Sequence, residues 1–161
     1  MTVTAPQKID PKFDLVLERT TDVSPEKVWK AWTTPEIIKQ WFAPKPWTVV
    51  DCKLELFPGG EFTTTMRSPD GEDMPCSGCV LEVVDGKKFV WSDCLTKGYR
   101  PSAQPFFSAI VTIESNGSGG TKYTAYAIHG NEETQKKHKE MGFEQGWGQC
   151  FDQLVEVAKS L

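Results

Sequence analysis

No more than two Lys or Arg are consecutive anywhere in this sequence, its N-terminus lacks an apolar core segment, and its five cysteines fall at no regular spacing. Each absence excludes something. The 18 Lys and Arg against 22 Asp and Glu give a formal charge of −4, and without a basic stripe there is no electrostatic footprint for a phosphate backbone, so nucleic acid is not an expected partner. Met1 to Lys12 carries Pro6, Lys8, Asp10 and Pro11 where a signal peptide or membrane span needs an unbroken apolar run. The segment reads as a flexible lead-in to a cytoplasmic protein that does not insert into membranes. An odd number of unevenly spaced cysteines suits a reducing compartment, where Cys serves as a small buried hydrophobe. With no Ser-His-Asp arrangement and no glycine-rich phosphate loop, no catalytic residue, metal or cofactor is expected.

At 161 residues the chain fits one domain, able to bury about two thirds of the surface its unfolded form exposes, and residues 13–161 read as that domain. Phe13, Leu15 and Leu17 alternate with polar neighbours and predict a first strand over 13–20. Ser24-Pro25-Glu26 and Thr34-Pro35-Glu36 are twin helix starts: a hydroxyl to cap, a proline preset for the first turn, an acid at the positive end. From Trp47 the period changes to two. Pro58-Gly59-Gly60, Pro69-Asp70-Gly71, Asp85-Gly86 and the tract Ser115 to Gly120 separate β-rich runs, predicting antiparallel strands near 47–56, 60–67, 75–84, 87–94, 106–114 and 121–128. Thr96 to Pro105 reads as the longest irregular loop, and a polar helical stretch opens at Asn131.

Alternation assigns faces to these strands. Val50, Cys52, Leu54 and Leu56 are expected to face the core, with Val49 and Asp51 outward. Phe62, Thr64 and Met66, then Phe89, Trp91 and Asp93, then Phe107, Ala109, Val111 and Ile113 opposite Tyr123, Ala125 and Ala127, complete an apolar inner face. One sheet of about seven strands then needs one long cover. Trp147, Phe151, Leu154, Ala158 and Leu161 recur at three- and four-residue steps and form its stripe. The architecture expected is α+β: a curved antiparallel sheet around a long C-terminal helix, with two short helices after the first strand. Gly142, Gly146 and Gly148 each cost such a helix roughly 1 kcal/mol. Gly142 is expected to break or kink it, and the other two to flank Trp147 where a side chain would meet a strand or fill ligand space.

Several residue types invite chemistry. Cys76 and Cys79 have redox or zinc spacing, yet on a strand a separation of three sends them to opposite faces, so burial without a metal or disulfide is expected. His129 at a strand end and His138 in a Lys/Glu-rich turn read as solvent-facing. Asp93 and Tyr123 are the polar groups turned inward. Six tryptophans exceed what a small core needs, and Trp41-Phe42 before an Ala-Pro-Lys-Pro loop is placed to gate a cavity mouth.

This order of elements resembles the helix-grip fold of START-like, birch-pollen-allergen-like proteins, the SRPBCC superfamily. Leu56-Phe-Pro-Gly-Gly-Glu-Phe62, Pro69-Asp-Gly71, Gly78-Cys-Val-Leu-Glu82 and Gly146-Trp-Gly-Gln-Cys150 are similar to the branch of activator of 90-kDa heat-shock-protein ATPase homologues. Where that branch has Asp-x-Arg before the double glycine, this chain has Glu55 and Phe57. The resemblance implies a hydrophobic or aromatic small-molecule ligand, lipid- or polyketide-like, bound between sheet and C-terminal helix in a monomer or homodimer. The expected contacts are Trp32, Trp41, Phe42, Phe62, Thr64, Met66, Trp91, Asp93, Phe107, Ala109, Tyr123, Trp147, Phe151 and Leu154. Two alternatives stay open: a cofactor-independent cyclase or aldolase using Tyr123 or Asp93, and an interaction module for a chaperone or other protein partner in a stress-response setting. Co-chaperones of the branch carry a separate N-terminal domain, and only Met1 to Lys12 precede the first strand here, so direct activation of the ATPase is not the expected role.

Overall fold

The computed structural model describes residues 8–161. Strand β1 (Asp14–Thr21) is followed by helices α1 (Pro25–Thr33) and α2 (Pro35–Ile38). Strands β2 (Thr48–Leu54), β3 (Glu61–Arg67), β4 (Asp73–Val84), β5 (Lys88–Ser92), β6 (Leu95–Thr96), β7 (Arg100–Pro101), β8 (Ser108–Ser115) and β9 (Thr121–Ile128) lead to α3 (Glu132–Glu140) and α4 (Phe143–Ala158). Seven strands form one antiparallel sheet in the order β1-β9-β8-β5-β4-β3-β2. The segment read as the longest irregular loop contains a second, two-stranded sheet: Thr96 pairs with Arg100 around a tip where Gly98 and Tyr99 take positive φ.

Ser24 caps α1 by accepting from the Lys27 N–H at 3.4 Å, and Pro25 occupies its first turn. Thr34 precedes α2 without a side-chain cap, so Pro35 and Glu36 alone carry that start signal. Val28, Trp29, Ala31 and Trp32 of α1, with Ile37 and Ile38 of α2, are buried. Along α4, Phe143, Phe151, Leu154 and Ala158 are buried on one stripe, each large side chain contributing about 1.5–3 kcal/mol of burial. Leu161 lies past the helix end and is exposed. Gly142 adopts φ 88°, a left-handed conformation that separates α3 from α4 at low steric cost only for glycine.

Register confirms most of the expected inner face. Ala109 lies opposite Ala127, Val111 opposite Ala125 and Ile113 opposite Tyr123. The first half of β2 is corrected. A bulge between Val49 and Asp51 leaves Val50 as the extra residue, so Val49 is buried opposite Met66 while Val50 is exposed; Cys52 and Leu54, past the bulge, pack against the core as expected. Leu56, also assigned inward, follows the strand and is exposed. Asp10 accepts from the backbone N–H groups of Phe13 and Asp14, and Gln135 donates to the Pro11 carbonyl. The part of the expected flexible lead-in before Lys8 lies outside the described residues.

Candidate functional site

The interior under α4 is a chain of aromatic rings. Trp32 of α1 stands at its centre, with ring centroids 4.7 Å from Trp41, 5.8 Å from Phe42, 5.9 Å from Phe89 and 5.2 Å from Trp91. Phe62 joins Phe42 at 5.7 Å and Trp91 at 5.3 Å. Trp91 in turn lies parallel to Trp147 of α4, within 6° and at 6.5 Å, and Trp147 meets Phe107 at 5.9 Å. Trp32, Trp41, Phe62 and Trp91 are buried, whereas Phe42, Phe107 and Trp147 are half-buried. The exposed edge of the cluster is therefore aromatic.

Of the other expected contacts, Tyr123 and Phe151 pack ring on ring at 4.5 Å, and Ala109 and Leu154 are fully buried. Thr64 is buried beside Cys52, and Met66 sits half-buried near the end of β3 opposite Val49. Trp41 is not at a surface mouth: it is buried and its indole N–H donates to the Ala31 carbonyl at 3.0 Å. Two open hollows of about 290 and 330 Å³ lie on the outside, one beside Lys45 and Gln149, the other beside Ser24 and Lys159. None of the fourteen expected contacts lines either.

The inward polar groups are occupied separately. The Tyr123 hydroxyl accepts from the Trp32 indole N–H at 3.2 Å, and burial pushes its pKa well above the ordinary tyrosine value. Asp93 Oδ1 accepts from the backbone N–H groups of Phe106 and Phe107 at 2.8 and 2.9 Å. Burial raises the Asp93 pKa, and these bonds hold it down in part. Cys79 is buried and Cys76 exposed, so the pair does part across the strand but only one member is a buried hydrophobe. Both are free thiols.

The histidines correct the sequence reading most clearly. His129 and His138 are buried, at 6 % and 7 % exposure, and their rings meet with His129 Nε2 2.8 Å from His138 Nδ1. Asn131 caps α3 through the Thr134 N–H at 2.8 Å, and the helix turns back over the β1 and β9 ends, seating Gln135 and His138 inward. Phe106, Phe107, Phe143 and Trp147 surround His138. The available signal was the three-residue spacing of Gln135 and His138 after a capping Asn, hidden because α3 contains no apolar residue to mark a buried face.

Burial, then the charge of His129, lowers the His138 pKa from 6.5 to about 4. Its imidazole is neutral in the fold where the unfolded chain already binds a proton, so stability is complete above pH 6.5 and falls as pH drops toward 4. Asp93, with its raised pKa, acts in the opposite sense. Urea midpoints are expected to fall between pH 7.5 and pH 5, with a shallower slope in His138→Gln; equal slopes would remove His138 as the cause.

At α4, apart from the helix's own backbone and the adjacent residues, a Cβ on Gly146 would meet none of the described residues within 4 Å, and one on Gly148 would meet the Arg19 guanidinium at 3.4 Å. Neither glycine is held against strand backbone. Farther along, Gln153 clamps α4 to the loop after α2, donating to the Trp41 and Ala43 carbonyls at 3.0 and 2.8 Å and accepting from the Lys45 N–H at 3.0 Å.

A seven-stranded antiparallel sheet covered by a C-terminal helix, with two short helices after its first strand, defines a helix-grip protein. Residues 22–159 match the family described as Activator of Hsp90 ATPase homolog 1-like protein, and the chain belongs to that family. It is similar to a crystal structure of a protein from Nitrosomonas europaea, at 45 % identity over 94 % of this chain and 97 % of that one, with a TM-score of 0.91. A Mycobacterium smegmatis crystal structure shares the fold at 23 % identity and TM-score 0.73, covering 91 % of this chain and 90 % of that one. The solution structure of an AHSA1-like protein from Aeromonas hydrophila does so at 19 % identity and TM-score 0.63, covering 91 % and 93 %. No match was found among curated proteins. Among the described residues no helix is long and apolar enough to cross a membrane.

Proposed function

We propose that this protein binds a hydrophobic or aromatic small molecule, lipid- or polyketide-like, in the grip between the sheet and α4. The observation that carries this reading is the Trp91–Trp147 pair. Its rings are parallel within 6° at 6.5 Å, near the upper end of the roughly 4.5–7 Å range of paired aromatic rings, so outward movement of Trp147 would open a slot between two flat faces for a third ring. Gly142 supplies a break on the N-terminal side of Trp147, while the Gln153 bonds hold the helix beyond it. A ligand entering there gains about 25 cal/mol per Å² of apolar surface removed from water.

The cyclase or aldolase alternative needs converging acid and base groups. Tyr123 is bonded to Trp32 and Asp93 to backbone N–H groups, so neither is directed at the other. A thermal-shift screen is expected to show flat aromatic or lipid-like compounds raising Tm while ATP and divalent metals leave it unchanged. At 100 times its dissociation constant a ligand adds roughly 2.7 kcal/mol, about 5–10 °C for a domain of this size. A screen in which only ATP or a metal registers would sink the proposal.

The interaction module is favoured by one observation: Leu56, Phe57 and Tyr99 are exposed, and the Tyr99 ring lies against the turn at Gly59, where an added Cβ would come within 2.9 Å of it. If this patch joins two copies, sedimentation of Phe57→Ser is expected to shift from dimer to monomer, and its Tm should lose the concentration dependence of the wild type. A wild-type monomer would count against that use of the patch.

A further inference from the structure

The His129–His138 pair is used by none of these readings, and its polarity follows from its inner end. The Phe13 carbonyl oxygen can only accept a hydrogen bond, and it lies 2.6 Å from His129 Nδ1 and 3.1 Å from the His129 backbone nitrogen. Nδ1 of His129 therefore carries a proton. In the neutral imidazole that leaves His129 Nε2 bare, so it accepts at 2.8 Å from His138 Nδ1–H. The remaining lone pair of the relay is then on His138 Nε2. Among the described residues no group is bonded to that nitrogen, and no buried side-chain nitrogen or oxygen lacks a partner. Nε2 thus keeps a path to the surface, although the residue as a whole is 7 % exposed.

The path lies between rings. Phe106 and Phe107 have centroids 4.9 Å from the imidazole, Phe143 5.3 Å and Trp147 6.2 Å. We propose that His138 Nε2 is the hydrogen-bond acceptor of a ligand site on the Trp147 side of the grip, and that its ligand is a flat aromatic compound bearing a hydroxyl group. This rests on the binding function proposed above and names the ligand class. A phenolic O–H satisfies the nitrogen while its ring packs on the aromatic edge. A hydrocarbon strips water from Nε2 without replacing the bond, which costs affinity. A carboxylate offers only acceptors and brings a charge into aromatic surroundings, which is worse.

Calorimetric titration at pH 7.5 with 2-naphthol, 2-methylnaphthalene and 2-naphthoate tests the assignment. Naphthol is expected to bind about tenfold tighter than methylnaphthalene, the worth of one hydrogen bond, and naphthoate weakest. His138→Phe keeps the ring and removes the acceptor, so naphthol and methylnaphthalene should become equal. Independently of that variant's folding, long-range nitrogen–proton NMR of the wild-type protein should place the proton of each imidazole on Nδ1, with naphthol shifting the His138 Nε2 resonance. Equal binding of naphthol and methylnaphthalene to wild type, or a proton on His138 Nε2, would overturn the anchor and leave the binding function standing. If none of the three compounds binds, the binding function fails and the anchor with it.

Discussion

Trp32→Ala is expected to destabilise the protein by about 3–5 kcal/mol, the cost of deleting a large buried aromatic side chain, and to lower Tm by roughly 6–20 °C. Trp32 is 2 % exposed and touches four other rings of the cluster. Its loss also strips the Tyr123 hydroxyl of its indole partner in a fully buried setting. Against a total stability of about 5–15 kcal/mol for a domain, the variant approaches the limit of folding at physiological temperature. Tyr123→Phe separates the polar part: it keeps the ring on Phe151 and leaves the Trp32 N–H unpaired, costing about 1–3 kcal/mol. Urea unfolding of both variants checks these values. A Trp32→Ala loss below about 1 kcal/mol would mean that the cluster collapses freely around the gap, and that its rings are a loose lining rather than a packed core.

The difference between packed core and adaptable lining also marks what the sequence discloses. Local signals were legible because each acts within a few residues. Ser24-Pro25 started α1, the glycine turns delimited the strands, and the α4 stripe showed which side is buried. Strand alternation placed Phe62, Trp91 and Phe107 on one face, and the fold then joined them through Trp147 into one ring cluster. The bulge at Val50 was illegible because Val49 and Val50 are the same residue type, and only pairing with β3 decides which one is left over. Trp41 read as a gate because aromatics beside a Pro-rich loop suggest a rim, whereas the Ala31 carbonyl ten residues earlier drew its indole inward. The histidine pair was hidden for a different reason. Its burial depends on α3 folding back onto the ends of β1 and β9, a contact encoded by a cap and two polar side chains with no apolar periodicity.

Gly60→Ala is expected to cost about 3 kcal/mol or more, at or above the top of the usual overpacking range, although it adds a single methyl group in a surface turn. A Cβ at Gly60 would overlap the Glu55 carbonyl oxygen and lie 2.9 Å from the Phe57 carbonyl oxygen. Neither oxygen can retreat easily. Glu55 is bonded through its backbone N–H to Glu61 at 2.8 Å, and its side chain accepts from the Glu61 N–H at 3.1 Å and from Lys97 at 3.0 Å. The turn is also pinned to β4, where Gly59 donates to the Val80 carbonyl at 2.7 Å and Val80 donates back to Gly60 at 2.9 Å. The double glycine that resembles the family pattern is thus required at its second position by contact with backbone. Gly146→Ala makes the opposite test of the same residue type. With none of the described residues within 4 Å of its added carbon, apart from the helix's own backbone and the adjacent residues, it should stabilise α4 by up to about 1 kcal/mol. If the grip opens beside Trp147, that methyl also narrows the space a ligand enters, so the variant should gain stability while binding 2-naphthol more weakly. A Gly146→Ala protein that is destabilised, or one that binds naphthol as tightly as wild type, would move the entrance away from this turn of α4.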